Sequence, residues 1–188
     1  LTGQHAEDVY LFPSGMSAVF AVHRAVQQIF PGRKSAQLEF PYVDVLRVQK
    51  EFGEGVHFFP LADTKDSLRI GEILEKETLS AVFCELASNP LMRSADVESL
   101  QPVAVRHGVP IVVDDTIASS INIDAFHVAD VVTTSLTKFF SGTSDVMAGS
   151  VILRHDSPFR DAFAAFLTDE LNDTLWEDDA IALDSYSL

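Results

Sequence analysis

Short runs of β-branched and apolar residues alternate with longer amphipathic stretches along this chain, and that alternation limits its possible folds more than any other feature. Asp8–Phe12, Ser35–Phe40, Val56–Phe59, Ser80–Glu85, Ile111–Val113, Asp130–Thr134 and Ser150–Leu153 read as strands. Ser17–Phe30, Val43–Phe52, Ser67–Glu77, Asp96–His107 and Phe159–Leu167 read as helices. In the first of these, Val19, Val22, Val26 and Ile29 recur on one face. Pro13-Ser14-Gly15, Pro31-Gly32 and Pro60 punctuate the pattern, and Gly108 stands where a helix C-cap is needed. Strands that are apolar almost throughout are buried on both faces, and repeated strand–helix–strand units make neighbouring strands parallel. The expected class is α/β: a mainly parallel sheet sandwiched by helices, with a length of 188 residues that suits one domain, or one domain and part of a second. The acidic segment from Thr168 to Ser187 carries no assignable pattern.

Composition narrows the partners. The 188 residues are 47% hydrophobic, enough for a packed core, and the net charge of −15 makes nucleic acid and anionic membrane surfaces poor partners. Cys84 is the single cysteine, so neither a disulfide framework nor a four-thiolate zinc site can be built. It lies in an apolar strand, where an inert core thiol is expected. No apolar run is long enough to span a bilayer, and a reducing, cytoplasmic compartment is the expectation.

Ligands of open parallel sheets bind beyond the carboxyl ends of the strands. Four groups fall there: Ser14-Gly15-Met16-Ser17, Leu86-Ala87-Ser88-Asn89-Pro90, Asp114-Asp115-Thr116 and Ser135-Leu136-Thr137-Lys138. The first opens a helix, so the Gly15 and Met16 N–H groups suit an anion, and glycine lets it approach the backbone closely. The same residues also fit an ordinary serine N-cap. Asp114 follows three β-branched residues and needs a partner, which a cationic pyridine nitrogen would be, as would a cap or structural hydrogen bond. Asp114 and Asp115 should face opposite sides of the sheet, which disfavours a shared metal, and no metal site is expected. Lys138 is flanked by the hydroxyls of Ser135 and Thr137 and followed by Phe139 and Phe140, whose apolar surroundings would depress its pKa and suit Schiff-base chemistry. Taken alone it reads as a surface lysine.

In this order and spacing, Ser14-Gly15-Met16, Tyr42, Glu85-Leu86-Ala87-Ser88-Asn89-Pro90, Val113-Asp114-Asp115-Thr116 and Ser135-Leu136-Thr137-Lys138 with Gly142 resemble the pyridoxal-phosphate (PLP) dependent transsulfuration enzymes of cysteine and methionine metabolism. The resemblance runs from about Val9 to Asp179 and is greatest to the fungal-type cystathionine γ-synthases. It implies that residues 1–188 are the large domain of a fold type I PLP enzyme. It also implies roles: Lys138 as Schiff-base lysine and proton shuttle, Asp114 on the pyridine nitrogen, Gly15, Met16, Ser135 and Thr137 on the phosphate, Tyr42 stacked on the ring, and Asn89 near its phenolic oxygen. Asp115 stands where the family often has Asn, Phe139 where it often has Tyr, and Gly142-Thr143-Ser144-Asp145 lacks a common His.

By the same resemblance, an N-terminal arm and a C-terminal small domain complete the active site, the full-length protein forms homodimers or homotetramers, and its substrates are amino acids. The 188 residues are therefore expected to be a fragment that is inactive by itself. The leading reaction is γ-replacement, which joins an O-acyl-homoserine and cysteine into cystathionine. A lyase or sulfhydrylase with the same apparatus is one alternative. A relic of the PLP domain serving as an interaction module is another, against which intact Lys138, Asp114 and Asn89 argue. The six histidines show no His-Glu-x-x-His spacing and read as satisfied or solvated side chains, and Gly142–Val146 lacks the final glycine of a hydrolase elbow.

Overall fold

The computed structural model describes residues 2–61, 64–170 and 175–186. Seven strands form one sheet: β1 (Val9–Phe12), β2 (Ser35–Leu38), β3 (Val56–Phe59), β4 (Val82–Glu85), β5 (Ile111–Asp114), β6 (Val131–Ser135) and β7 (Gly149–Leu153). Their order is β1-β7-β6-β5-β4-β2-β3. The pairs from β3 through β6 are parallel, whereas β7 runs antiparallel to both β6 and β1. Being antiparallel to the same strand, β1 and β6 point the same way. Six of the seven strands therefore end on one rim.

Seven α-helices accompany the sheet among the described residues: α1 (Gly15–Ile29), α2 (Val43–Glu51), α3 (Thr64–Leu74), α4 (Val97–His107), α5 (Ser119–Asn122), α6 (Arg160–Glu170) and α7 (Glu177–Tyr186). Ala18, Val22 and Val26 of α1 and Phe163, Phe166 and Leu167 of α6 pack with Phe83, Val112 and Val151 on one face. Ile70 and Leu74 of α3 and Leu100 and Ala104 of α4 pack with Cys84, Val113 and Val132 on the other. Alternate residues of each central strand thus enter separate cores, which is why the strands carry almost no exposed position. The expected sandwich is present.

The boundaries differ from the sequence reading in instructive places. The first helix begins at Gly15 rather than Ser17, because the Ser14 hydroxyl caps it. The strand after Lys34 stops at Leu38, where Glu39 takes φ of 56° and turns the chain. Gly108 caps α4 as expected, left-handed with φ of 63°, while Asp96, read from the sequence as the first helical residue, is instead the N-cap. Part of the unassigned acidic tail forms α7. Its first turn holds Glu177, Asp178 and Asp179, where carboxylates favour a helix N-terminus. Residues 171–174 and 187 of that tail lie outside the described residues. No helix among those described is long and apolar enough to cross a membrane.

Candidate active site

The strand pairings bring two distant parts of the sequence together. Gly149 is in register with Phe12 on one side and with Ser135 on the other, so the turn after β1 meets the end of β6. The contact is close. A Cβ on Gly15 would stand 2.7 Å from Ser135 Cβ and 3.0 Å from its Oγ, and a Cβ on Gly149 would overlap the Ser14 carbonyl. Ser14 Oγ accepts the Ser17 N–H at 3.1 Å, and the Ser14 carbonyl oxygen accepts the Ala18 N–H. The N–H groups of Gly15 and Met16, in the first turn, have no intrahelical acceptor. The serine cap and the anion cradle are therefore compatible: Ser14 satisfies the inner donor and leaves the outer two without an intrahelical acceptor.

Asp114 ends β5, partly buried, in register with Glu85 of β4 and Thr133 of β6. Its Oδ1 accepts the Thr116 N–H at 2.8 Å, so the structural hydrogen bond considered from the sequence exists. The Thr116 side chain donates to the same carboxylate. Burial pushes the Asp114 carboxyl up to about 6, against the pull of Thr116. Asp115 faces the opposite side, as strand alternation predicts. It is fully buried, and there it accepts hydrogen bonds from the hydroxyls of Thr134 at 2.5 Å and Ser120 at 2.9 Å. Asp115 is thus a structural anchor. Thr116 is a second link that the sequence reading did not single out: its hydroxyl oxygen accepts the Ser135 N–H at 2.8 Å and ties the β5 end to the β6 end.

Beyond β6 the chain makes consecutive turns. The Lys138 N–H donates to Ser135 O, and the Gly142 N–H donates to Lys138 O. Lys138 is exposed on this turn. Here one expectation is corrected: Phe139 and Phe140 do not enclose the lysine. Phe139 is 66% exposed, and Phe140 packs instead with Leu136, Val146, Ala148 and Leu183 of α7. A chain that turns twice in five residues sends successive side chains in different directions, and neighbours in sequence are not neighbours in space. Thr137 is also committed in part. Its hydroxyl accepts the Ala148 N–H at 3.0 Å and donates to Ala148 O at 3.3 Å, so its single hydrogen must leave that long bond to reach an anion. Ser135 keeps its hydroxyl beside Gly15.

Tyr42 caps α2 and is 54% exposed, its ring free of the core. Asn89 is exposed in the loop after β4. Both segments converge on Glu85, for which the sequence reading had no role beyond motif membership. Glu85 Oε1 accepts the Tyr42 N–H at 2.6 Å, and the Asn89 N–H also donates to Glu85. Burial pushes the Glu85 carboxyl up to about 7, and neighbouring Asp114 adds to that. The structure therefore gathers Gly15, Met16, Tyr42, Asn89, Asp114, Ser135, Thr137 and Lys138 along the ends of β1, β2, β4, β5 and β6. Cys84 points into the opposite core, and burial pushes its thiol up to about 12, which removes it as a nucleophile.

The rim offers an anion cradle, a carboxylate beside it, an exposed aromatic ring and an amine. A phosphorylated pyridine aldehyde matches that donor set. The cradle is the discriminating feature, since the Gly15–Ser135 approach sets the Ser135 hydroxyl beside the open N-terminal end of α1.

Comparison with known proteins agrees. Residues 3–173 match the family model of Cys/Met metabolism PLP-dependent enzymes. The chain is 37% identical over 96% of its length to a cystathionine gamma-synthase-like enzyme of Amanita muscaria, and equally to a cystathionine gamma-synthase of Neurospora crassa. It spans only 31% and 30% of those two curated relatives. An O-acetylhomoserine (thiol)-lyase structure from Campylobacter jejuni, which carries N'-pyridoxyl-lysine-5'-monophosphate, superposes with a TM-score of 0.79. That superposition covers 96% of this chain and 53% of the other at 22% identity, a likeness of fold.

Proposed function

The chain belongs to the Cys/Met metabolism family of PLP-dependent enzymes, and from that premise we propose that the whole protein catalyses γ-replacement, joining an O-acyl-homoserine and cysteine into cystathionine. In this reaction the Cγ–O bond of the ester breaks, the acyl group leaves as a carboxylate and the cysteine sulfur forms a bond to Cγ. The thiol proton goes to the medium. The observation that carries the cofactor part of the reading is the Gly15–Ser135 cradle. The choice of reaction within the family rests on the 37% likeness to a named cystathionine gamma-synthase.

PLP supplies an electron sink that stabilises carbanions at the amino-acid substrate. The chain's own residues hold and orient it. Gly15 and Met16 N–H groups, with the Ser135 hydroxyl, bind the phosphate at the positive end of α1, and Thr137 joins them if its hydroxyl turns from Ala148. Asp114 pairs with the ring nitrogen, and a cation there favours its ionised form. Tyr42 covers the ring face, and Asn89 donates to the ring oxygen. Lys138, held on its turn by Ser135 O, holds the cofactor covalently and then moves protons at the substrate carbons. Assembly as a homodimer or homotetramer is part of the same proposal.

Two measurements on the full-length protein test this. With PLP added, a visible Schiff-base band that borohydride abolishes should form, and Lys138→Ala should lack it. Incubation with an O-acyl-homoserine and cysteine should yield cystathionine. An absent band in the wild type, or an identical band in Lys138→Ala, overturns the cofactor assignment. Homocysteine from sulfide, with no cystathionine from cysteine, would move the reaction to a sulfhydrylase. α-Keto acid production without a second substrate would move it to a lyase.

A further inference from the structure

Glu85 stands out among the rim residues because its local energetics are poor. It is buried, lies in register with a second carboxylate at Asp114, and none of the groups acting on it is a cation. A stability-driven core would place an apolar residue here. Its two hydrogen bonds explain the carboxylate better. One comes from the Tyr42 N–H, 43 residues away in sequence, and the other from the Asn89 N–H. Neither segment lies within a strand: Phe40-Pro41-Tyr42 leaves β2, and Leu86–Asn89 leaves β4. With both anchored on one side chain, the Tyr42 ring and the Asn89 amide acquire a fixed spacing from each other and from Asp114.

Resting on the proposed function above, we infer that Glu85 is a positioning residue, which fixes the Tyr42 and Asn89 segments against the strand that carries Asp114 and so sets the walls of the PLP site. The role needs an acceptor oxygen at this point. Packing volume alone does not supply it, and neither does the charge by itself.

Two variants of the full-length protein separate these requirements. Glu85→Gln keeps an oxygen for the two N–H groups. Glu85→Met keeps the volume, removes the acceptor and also removes a buried carboxylate, so folding is not threatened. With cofactor removed, hydrogen exchange of the peptides covering Tyr42 and Asn89 should be unchanged in Glu85→Gln and faster in Glu85→Met. PLP affinity should stay within about threefold in the first and fall by about tenfold or more in the second, the worth of hydrogen bonds to a charged acceptor. Wild-type protein that binds PLP alongside a Glu85→Met variant that binds equally well, or protects both peptides equally, overturns the role of Glu85 and leaves the cofactor reading intact. Wild-type protein that never binds PLP overturns both.

Discussion

A Cβ placed on Gly15 would lie 2.7 Å from the Cβ of Ser135 and 3.0 Å from its Cα. Real Cβ atoms do not tolerate such an approach, and the Ser135 backbone is fixed by β6 and by the Thr116 hydroxyl. Gly15→Ala must therefore push the start of α1 away from the sheet. Overpacking of this kind costs about 1–3 kcal/mol. Thermal melts should show that loss, and PLP titration should show weaker binding. The control is Gly71 in α3, where an added Cβ meets nothing within 4 Å. Gly71→Ala should stabilise by about 0.4–1 kcal/mol and leave binding alone.

The Asp114 and Glu85 carboxyls share one face, and burial raises both, to about 6 and about 7 from 3.8 and 4.5. A group whose folded pKa lies above its unfolded value favours the folded state most below the unfolded pKa, and that stability is lost as pH rises through the folded pKa. Cofactor-free protein should therefore lose stability, on the order of 1–3 kcal/mol after allowance for partial exposure, between about pH 4 and pH 7. Glu85→Gln and Asp114→Asn should each flatten part of that slope in denaturant melts. The same ionisation gives PLP affinity a rise through about pH 6, absent in Asp114→Asn.

Much of this arrangement is legible in the sequence because it follows from periodicity. Val112 and Asp114 on one face, with Val113 and Asp115 on the other, is the alternation of a strand read directly. Glycine at 15 and the order of the four strand-end groups located the rim. What escaped depended on contacts between distant segments. Nothing near β7 announces that it runs antiparallel and sits between β1 and β6, although that placement sets Gly149 beside Ser14. The acceptor role of Glu85 needs the loop after β2 to cross the end of β4. The enclosure expected of Phe139 failed because a turn, unlike a strand or helix, gives no fixed rule for where neighbouring side chains point.

At the opposite end of the sheet, Asp8 joins β1 to the segment after β7. Its Oδ1 accepts from Arg160 Nε at 2.6 Å, and its Oδ2 pairs with His155 Nδ1 at 2.7 Å. Burial would raise its carboxyl, but the bonds from His155 and Arg160 outweigh burial and hold it below 3.8. A depressed carboxyl gives stability that is present above the unfolded pKa and lost as pH falls through the folded one. The wild type should thus lose stability steeply below about pH 4. Asp8→Asn should start with a lower Tm at neutral pH and fall less over that range, as followed by circular dichroism.

Asp115 lies where the family resemblance leads one to expect asparagine, and its surroundings predict how it behaves. The buried carboxylate takes one hydrogen bond from Thr134 and one from Ser120, and burial raises its pKa. An asparagine would accept from the Thr134 hydroxyl through its oxygen and donate to the Ser120 hydroxyl through its nitrogen, so both links survive without a buried charge. Asp115→Asn should therefore be within about 1 kcal/mol of the wild type, with any gain growing as pH rises and the buried carboxyl of the wild type ionises. Thr134→Val removes a donor and leaves the carboxylate less satisfied, which should cost about 1–3 kcal/mol. In the double variant the cost of Thr134→Val should shrink, because a neutral amide loses less than a carboxylate when its donor is removed. Equal costs in both backgrounds, measured by urea denaturation at one pH, would show that the charge of Asp115 does not contribute to this anchor.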